Sequence, residues 1–210
     1  MIPVVIAIIA WAVPLADATG PPGDPCDDCV DGVVMGGADV VAYFGLDANA
    51  RGIMGKKEHA VIHQGYTFYF SNASNADTFT ATPDKYVPQW GGFCAWGIAR
   101  EGTDGNPSPD ARPMWPWTST FMGPPCSPHD GWVILKGKLY CALAKNPLDM
   151  FVALGEQGII DGNTRWKNWF GALDAGPMDT GCFPSTARKC LWGGMHFPNR
   201  TLSEGHVLVV

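Results

Sequence analysis

Apolar and polar residues alternate in two parts of this chain, and each part predicts a β-hairpin. In His59–Phe70 the alternation lies on both sides of Gln64-Gly65, which suits a two-residue turn. The second hairpin falls in Gly131–Leu143, with Lys136-Gly137 at its turn. The first turn sets the strand register and predicts three facing pairs: His63 with Tyr66, Val61 with Phe68, and His59 with Phe70.

Capping residues predict short helices after each hairpin. Ser74 suits an N-cap with Asp77 three positions later, and Pro83 ends that helix. Asn146-Pro147 suits an N-cap followed by proline, for a helix that runs to about Gln157. Two further helical segments are expected: Phe93–Ala99, entered through Gly91-Gly92, and Thr164–Leu173, with Trp166, Trp169 and Phe170 on one face.

The composition favours a fold rich in loops. The chain has 26 glycines and 18 prolines, and seven of the prolines lie in Thr103–Asp130, which we interpret as an inserted irregular loop. We find no internal repeat in the sequence. The expected fold class is therefore α+β, with small antiparallel sheets or hairpins, short helices and long loops rich in proline and glycine.

The first 18 residues predict the compartment. An apolar run from Ile2 to Val13 precedes Ala16-Asp17-Ala18, which is typical of a secretory signal peptide with its cleavage site. A membrane anchor or a buried N-terminal strand is the alternative interpretation. After residue 18 no segment is apolar and long enough to cross a membrane. We expect a protein that is secreted or resides in the lumen of the secretory pathway, with sequons at Asn72 and Asn199 as glycan acceptors.

Seven cysteines in an exported chain favour disulfides. The connectivity cannot be deduced from spacing alone. The simplest scheme pairs neighbours along the chain and leaves Cys94 as a buried, unpaired thiol. Its pairs are Cys26 with Cys29, Cys126 with Cys141, and Cys182 with Cys190.

Charge and motifs exclude several function classes. The formal net charge is -6, which argues against a nucleic-acid partner. Motifs of serine hydrolases, zinc proteases and nucleotide-binding loops are missing from the sequence. A cysteine enzyme built on Cys94 with His59 or His63 remains a remote alternative, because no orienting third group is evident.

Thiols and imidazoles are the candidate metal ligands. Cys94 with His59 or His63 is the first candidate set, although the two histidines lie too far apart on one strand to share an ion. The pair Cys26 and Cys29 is a second set, and the adjacent Met195 and His196 are a third. His129 and His206 have no neighbouring ligand in the sequence.

Several ordered motifs resemble the YHS domain in its longer, exported form. The stretch "ADVVAYF" is similar to that family's D-P-V-A-Y-F, and Pro83–Trp96 is similar to its P-x-x-Y-x-P-x-Y-G-G-Y-C-A-Y. The later "DGWVILKGKLYCAL" and "WKNW" resemble the W-x-I-x-x-G-K-L-Y strand pair and the closing helix of the family. The resemblance covers Gly36–Ala99 and Asp130–Gly171.

The resemblance implies a domain layout and a metal. It gives a YHS-like domain at 36–173. The inserted loop at 103–130, a cysteine-containing linker arm at 19–35 and a cysteine-containing tail at 174–210 lie outside the family pattern, and the predicted signal peptide at 1–18 precedes them. YHS domains occur attached to copper-transporting ATPases and to some monooxygenase components, and the family is suspected of binding copper. In its cysteine-bearing form, however, the thiols correspond to Ala42, Ser71 and Asn75 of this chain, none of which is a soft ligand.

Two function classes follow with nearly equal support. One is a secreted metal-binding protein, with copper as the favoured ion. The other is a disulfide-stabilised extracellular module without catalytic activity, whose partner is an unidentified protein.

Overall fold

The computed structural model describes residues 30, 32–101, 117–123 and 125–181. The predicted signal peptide, the C-x-x-C arm, part of the insertion and most of the tail lie outside these residues. Within them no helix is long and apolar enough to cross a membrane. The strands are β1 (Lys56–His63), β2 (Tyr66–Phe70), β3 (Trp132–Leu135) and β4 (Lys138–Cys141), and the α-helices are α1 (Ala73–Ala81), α2 (Pro83–Tyr86), α3 (Lys145–Ala153) and α4 (Gly155–Phe170).

β1 and β2 form the first antiparallel hairpin. The predicted pairs His63 with Tyr66 and Val61 with Phe68 are confirmed. The predicted pair of His59 with Phe70 is wrong, because the register shifts within β1 and Phe70 faces Lys56 instead. Extra residues in β1 between positions 56 and 60 form this irregularity, which alternation alone does not reveal.

β3 and β4 form the second antiparallel hairpin, in the predicted register around Lys136-Gly137. Both hairpins turn through two residues with positive φ. Gln64 and Lys136 have φ of 51° and 50°, and each is followed by a glycine with positive φ. This is the geometry of the two-residue turn that matches the twist of paired strands. The two small sheets together with the short helices confirm the α+β class.

Helix starts differ from those predicted. α1 has Asn72 at its N-cap, because the Asn72 side chain accepts a hydrogen bond from the Asn75 N–H at 2.9 Å; the prediction of Ser74 was wrong. α3 begins at Lys145, so Asn146 is not its N-cap. The segment expected to be one helix from Asn146 to about Gln157 is divided, because Gly155 has φ of 59°.

α4 is longer than predicted. It runs from Gly155 to Phe170 and ends at Gly171, whose φ of 87° suits a helix C-terminus. The predicted segment Thr164–Leu173 is therefore the last part of a longer helix. Trp166 is buried on it and stacks on Phe170 with ring centroids 4.6 Å apart.

Two turns, Val34–Gly37 and Gln89–Gly92, share one unusual backbone path, and we call them the diglycine turns. In each, a large residue and the following two glycines all have positive φ. The large residues are Met35, with φ of 53°, and Trp90, with φ of 51°. Because non-glycine residues rarely adopt this region, surrounding contacts must hold them there.

The interior divides into two apolar clusters. The first contains the diglycine-turn residue Met35 with Phe68, Phe70 and Phe79. The second is built on Trp90, Tyr140, Phe151, Trp117 and Trp166. Buried aromatic rings therefore supply much of the apolar area that holds a loop-rich chain together.

Candidate functional site

The structure does not bring the first predicted ligand set together. Cys94 lies in the second apolar cluster. His63 packs edge-on against Phe79, 5.6 Å between ring centroids, which belongs to the first cluster. His59 is half-buried on β1. Across residues 30, 32–101, 117–123 and 125–181, no three histidine, cysteine, aspartate or glutamate side chains are grouped so as to hold a metal ion.

Other predicted site residues lie outside the described residues. They are Cys26, Cys29, Cys182, Cys190, Met195, His196, His206 and Asn199. Of the remaining predicted residues, Asn72 is exposed at the start of α1, and its amide nitrogen donates to the Ser71 hydroxyl at 3.0 Å. His129 is buried, and its Nε2 lies 3.0 Å from the Arg51 guanidinium.

Cys94 is a free, buried thiol held by the backbone. The backbone groups of Gly97, Leu143 and Trp96 lie near its sulfur and favour the thiolate. Burial outweighs them and, together with the Glu101 carboxylate, raises the pKa of the Cys94 thiol to about 11. The thiol is therefore protonated at neutral pH, which is opposite to what a nucleophilic cysteine requires.

The structure brings together all three positions at which the YHS resemblance places thiols, and they surround the Asp39 carboxylate. Asp39 is fully buried. Its Oδ2 accepts from the Ser71 N–H at 2.8 Å, the Ser71 hydroxyl at 2.6 Å and the Asn75 amide at 2.7 Å. Its Oδ1 accepts from the N–H groups of Val41 and Ala42, each at 3.0 Å.

This arrangement does not fit a metal ion. Five donors already occupy the two Asp39 oxygens, and a carboxylate with this many donors is stable as a buried anion. The donors are amide groups and a hydroxyl. Their hydrogen atoms point at the carboxylate oxygens and occupy the places where a cation would bind. The Asp39 network is therefore a polar tie between the chain after the first diglycine turn and the start of α1.

Sulfur atoms meet elsewhere, in a set that the sequence did not indicate. The Cys141 thiol donates to the Met35 sulfur at 3.7 Å. The Cys126 thiol lies beside Cys141 on β4, close enough for the two groups to affect each other's charge. All three side chains are buried, and both thiols are free. We call Met35, Cys126 and Cys141 the sulfur cluster.

Burial controls the protonation of Cys126 in the sulfur cluster. It raises the pKa of the Cys126 thiol well above its ordinary value, and the neighbouring Cys141 thiol raises it further. Both effects disfavour an uncompensated thiolate. A cation that replaced the thiol proton would remove that penalty.

Asp179 lies against the sulfur cluster and links the two diglycine turns. Its carboxylate accepts from the Cys126 N–H at 3.2 Å and from the Gly181 N–H at 2.9 Å. Burial raises the pKa of this carboxyl to about 8. Its carbonyl accepts from the Met35 N–H at 2.9 Å, and its own N–H donates to the Gly91 carbonyl at 2.7 Å.

These backbone contacts account for the strained conformation of Met35. The Met35 N–H donates a hydrogen bond to the Asp179 carbonyl, which holds the turn against the segment around Asp179. Within the turn, the Ala38 N–H donates to the Met35 carbonyl at 3.2 Å. The turn then directs the thioether toward Cys141. Strain of this kind, of order 1–3 kcal/mol, persists where the surroundings over-determine a conformation, as at ligand sites.

Comparisons with known proteins give no match: no family model, no curated protein and no solved structure is significantly similar to the chain. The YHS resemblance therefore stays a prediction. One sequence feature relates to the sulfur cluster. Met35, a member of the cluster, precedes Gly-Gly, and Trp90 precedes a second Gly-Gly in the same way.

Proposed function

We propose that this protein is an exported metal-binding protein that holds Cu(I) between the three sulfur atoms of Met35, Cys126 and Cys141. The observation that supports this proposal is the contact of the Cys141 sulfur with the Met35 sulfur, 3.7 Å, while the Cys126 thiol lies beside the same cysteine. The YHS resemblance, which implies copper, favours the same ion through independent sequence features.

The spacing of the sulfur atoms suits a shared ion. Metal–thiolate bonds are about 2.3 Å long, so three sulfurs in a trigonal plane around one ion lie about 4 Å apart. The distance from Met35 to Cys141 is close to that value. Small rotations of the side chains would then bring the sulfurs onto one ion without moving the backbone.

The ligand types favour Cu(I) over zinc. Thiolate and thioether sulfurs are soft ligands that select Cu(I), whereas thioethers are poor partners for harder divalent ions. Structural zinc requires four ligands, usually cysteine and histidine. Within the described part of the chain no third cysteine or histidine completes such a set around these sulfurs.

The charge balance also favours a monovalent ion. One thiolate with Cu(I) is neutral, and a neutral pair avoids most of the cost of placing a charge in an apolar interior. The second thiol keeps or loses its proton according to pH, so affinity for the metal rises with pH.

A second function has a specific observation in its favour. The same contact between Cys126 and Cys141 would allow a disulfide, as the simplest pairing scheme expects. Such a bond closes a loop of about 15 residues and would stabilise the fold by about 3 kcal/mol. The chain would then be a disulfide-stabilised extracellular module. The two functions exclude each other at this site, because a disulfide has no thiolate to give to a metal.

Titration of the reduced protein with Cu(I), without oxygen and in competition with a coloured Cu(I) chelator, tests the proposal. We expect one tightly bound ion per chain. Cys126→Ser and Cys141→Ser should each weaken binding by about 100-fold or more, and Met35→Leu by about tenfold. Cys94→Ser and Met178→Leu are matched controls, because each alters a buried sulfur outside the cluster.

Two outcomes would overturn the metal proposal. One is a reduced protein that does not bind Cu(I), or whose binding is unchanged in Cys126→Ser. The other is an exported protein in which peptide mapping without reduction finds Cys126 bonded to Cys141, which would establish the structural module instead.

A further inference from the structure

The two hairpins occupy equivalent places in two similar stretches of backbone. Val61 faces Phe68 in the first, and Val133 faces Tyr140 in the second. Counted from the turns, the four pairs nearest Gln64-Gly65 each have a counterpart at the same step beside Lys136-Gly137. The positive φ values of the turn residues also agree.

The helices that follow the hairpins correspond as well. α1 and α3 each contain nine residues and begin at the same distance after the hairpin turn, at Ala73 after Gly65 and at Lys145 after Gly137. Each presents one fully buried phenylalanine, Phe79 or Phe151. Phe79 packs on Phe68 at 4.7 Å between ring centroids, and Phe151 packs on Tyr140, the counterpart of Phe68, at 5.5 Å.

Each hairpin is preceded by a diglycine turn with the same dihedral angles. Met35 and Gly36 have φ, ψ of 53°, 36° and 63°, 18°, and Trp90 and Gly91 have 51°, 41° and 65°, 8°. Both turns close with a bond from the residue after the second glycine back to the large residue, at 3.2 Å in each case.

The second residue after each diglycine turn has the same backbone donors. Asp39 accepts from the N–H groups two and three residues later, and from Ser71, the first residue after β2. The backbone groups two and three residues after Cys94, and that of Leu143, the counterpart of Ser71 beyond β4, lie near its sulfur and favour the thiolate. A carboxylate in one place and a thiol in the other thus have backbone groups from three matching positions around them.

We infer that the described chain contains two copies of one folding unit, diglycine turn, hairpin and helix, and that Cys94 fills in the second copy the place of the Asp39 carboxylate in the first. Cys94 is then a structural acceptor that ties the second diglycine turn to β4. It is neither a metal ligand nor a nucleophile. This role does not depend on the sulfur cluster.

The differences between the copies explain why the acceptors differ. In the first copy, the Ser71 hydroxyl and the Asn75 amide add two donors to the three backbone bonds. Their counterparts in the second copy are Leu143 and Pro147, whose side chains have no donor. A buried carboxylate with three donors is costlier than one with five, so a neutral thiol suits the second copy.

Urea denaturation of folded single variants tests the role of Cys94. If three backbone N–H groups face the side chain at position 94, the serine hydroxyl in Cys94→Ser still accepts hydrogen bonds from them. Cys94→Ser should then have a higher urea midpoint than Cys94→Ala, which has no acceptor there. In an ordinary apolar pocket the order reverses, because a buried hydroxyl costs more than a methyl group. Ala142→Ser, at a fully buried position directly before Leu143, is the matched control and should lower the midpoint.

The correspondence between the copies is tested by placing the carboxylate and the side-chain donors of the first copy at the equivalent positions of the second. Cys94→Asp alone should lower the urea midpoint or prevent folding. Addition of Leu143→Ser and Pro147→Asn to that variant should recover a large part of the loss. A triple variant no more stable than Cys94→Asp, or a Cys94→Ala more stable than Cys94→Ser, would overturn the inference.

Discussion

Asp39 receives two hydrogen bonds from Ser71, one from its backbone N–H at 2.8 Å and one from its hydroxyl at 2.6 Å. The YHS resemblance places a thiol at the position of Ser71. Here Ser71 donates hydrogen bonds to the Asp39 carboxylate, whereas a cysteine at that position could bind a metal through its sulfur. Asn75, at a second such position, does the same at 2.7 Å. The chain thus has a polar network at the positions where the predicted YHS resemblance would place thiols.

Removal of one side-chain donor from this network should be costly. We expect Ser71→Ala to lower the free energy of unfolding by about 1.5–3 kcal/mol, because it takes a hydrogen bond from a buried charged acceptor. Ser74→Ala is the matched control, since Ser74 is exposed and should change stability by at most about 0.5 kcal/mol. Urea denaturation followed by tryptophan fluorescence gives both values. Equal stability of the two variants would contradict the network.

The second diglycine turn should tolerate no side chain at Gly91. A Cβ there would lie 2.0 Å from the Pro177 carbonyl oxygen, and the residue has φ of 65°. We expect Gly91→Ala to cost about 3 kcal/mol or more. At Gly137, where φ is 70° and the Cβ would meet no atom within 4 Å, alanine should cost only about 1–2 kcal/mol.

Comparison of urea midpoints for the two glycine variants separates crowding from backbone strain. Both variants adopt positive φ, so strain is common to them, and the excess loss in Gly91→Ala reports the contact with Pro177. A similar midpoint shift in both would show that the segment at Pro177 does not pack on the turn.

The features that the sequence predicted correctly depend on residues close together in the chain. Two-residue turns at Gln64-Gly65 and Lys136-Gly137 fix the register next to them, and both hairpins were therefore foreseen. The register error at His59 arose farther from the turn, where an irregularity in β1 depends on contacts with the rest of the fold. The N-cap at Asn72 was missed because asparagine and serine at neighbouring positions are equally good caps.

The candidate sites could not be predicted in the same way. The sulfur cluster joins Met35 to cysteines about a hundred residues later, and no local pattern relates residues so distant. The two copies of the folding unit share backbone geometry but few residue identities, since Asp39 corresponds to Cys94 and Ser71 to Leu143. The positive-φ glycines recur in both copies, because that backbone path excludes most other residues.

Asp179 should make the metal-free protein less stable as pH rises. Burial raises the pKa of its carboxyl from 3.8 to about 8, so the folded state holds this proton more tightly than the unfolded chain. The stabilisation from that proton is complete below pH 3.8 and is lost as pH rises through 8. We expect Asp179→Asn to flatten the fall in stability between pH 5 and 9, as measured by thermal unfolding of reduced protein without metal. A variant with the wild-type slope would contradict this origin of the pH dependence.

Cys94 should resist alkylation in the folded protein. The pKa of about 11 is two units above the ordinary value of 9.0, so at pH 8 its thiolate is about 100-fold less abundant than in an unfolded chain. Burial hinders the reagent further, so the protection factor should exceed about 100. Labelling with iodoacetamide at pH 8, with and without urea, followed by mass measurement of the peptide that contains Cys94, gives this factor. A labelling rate near that of the unfolded chain would mean that the three N–H groups around the sulfur do not form a closed site, and that Cys94 is available for chemistry.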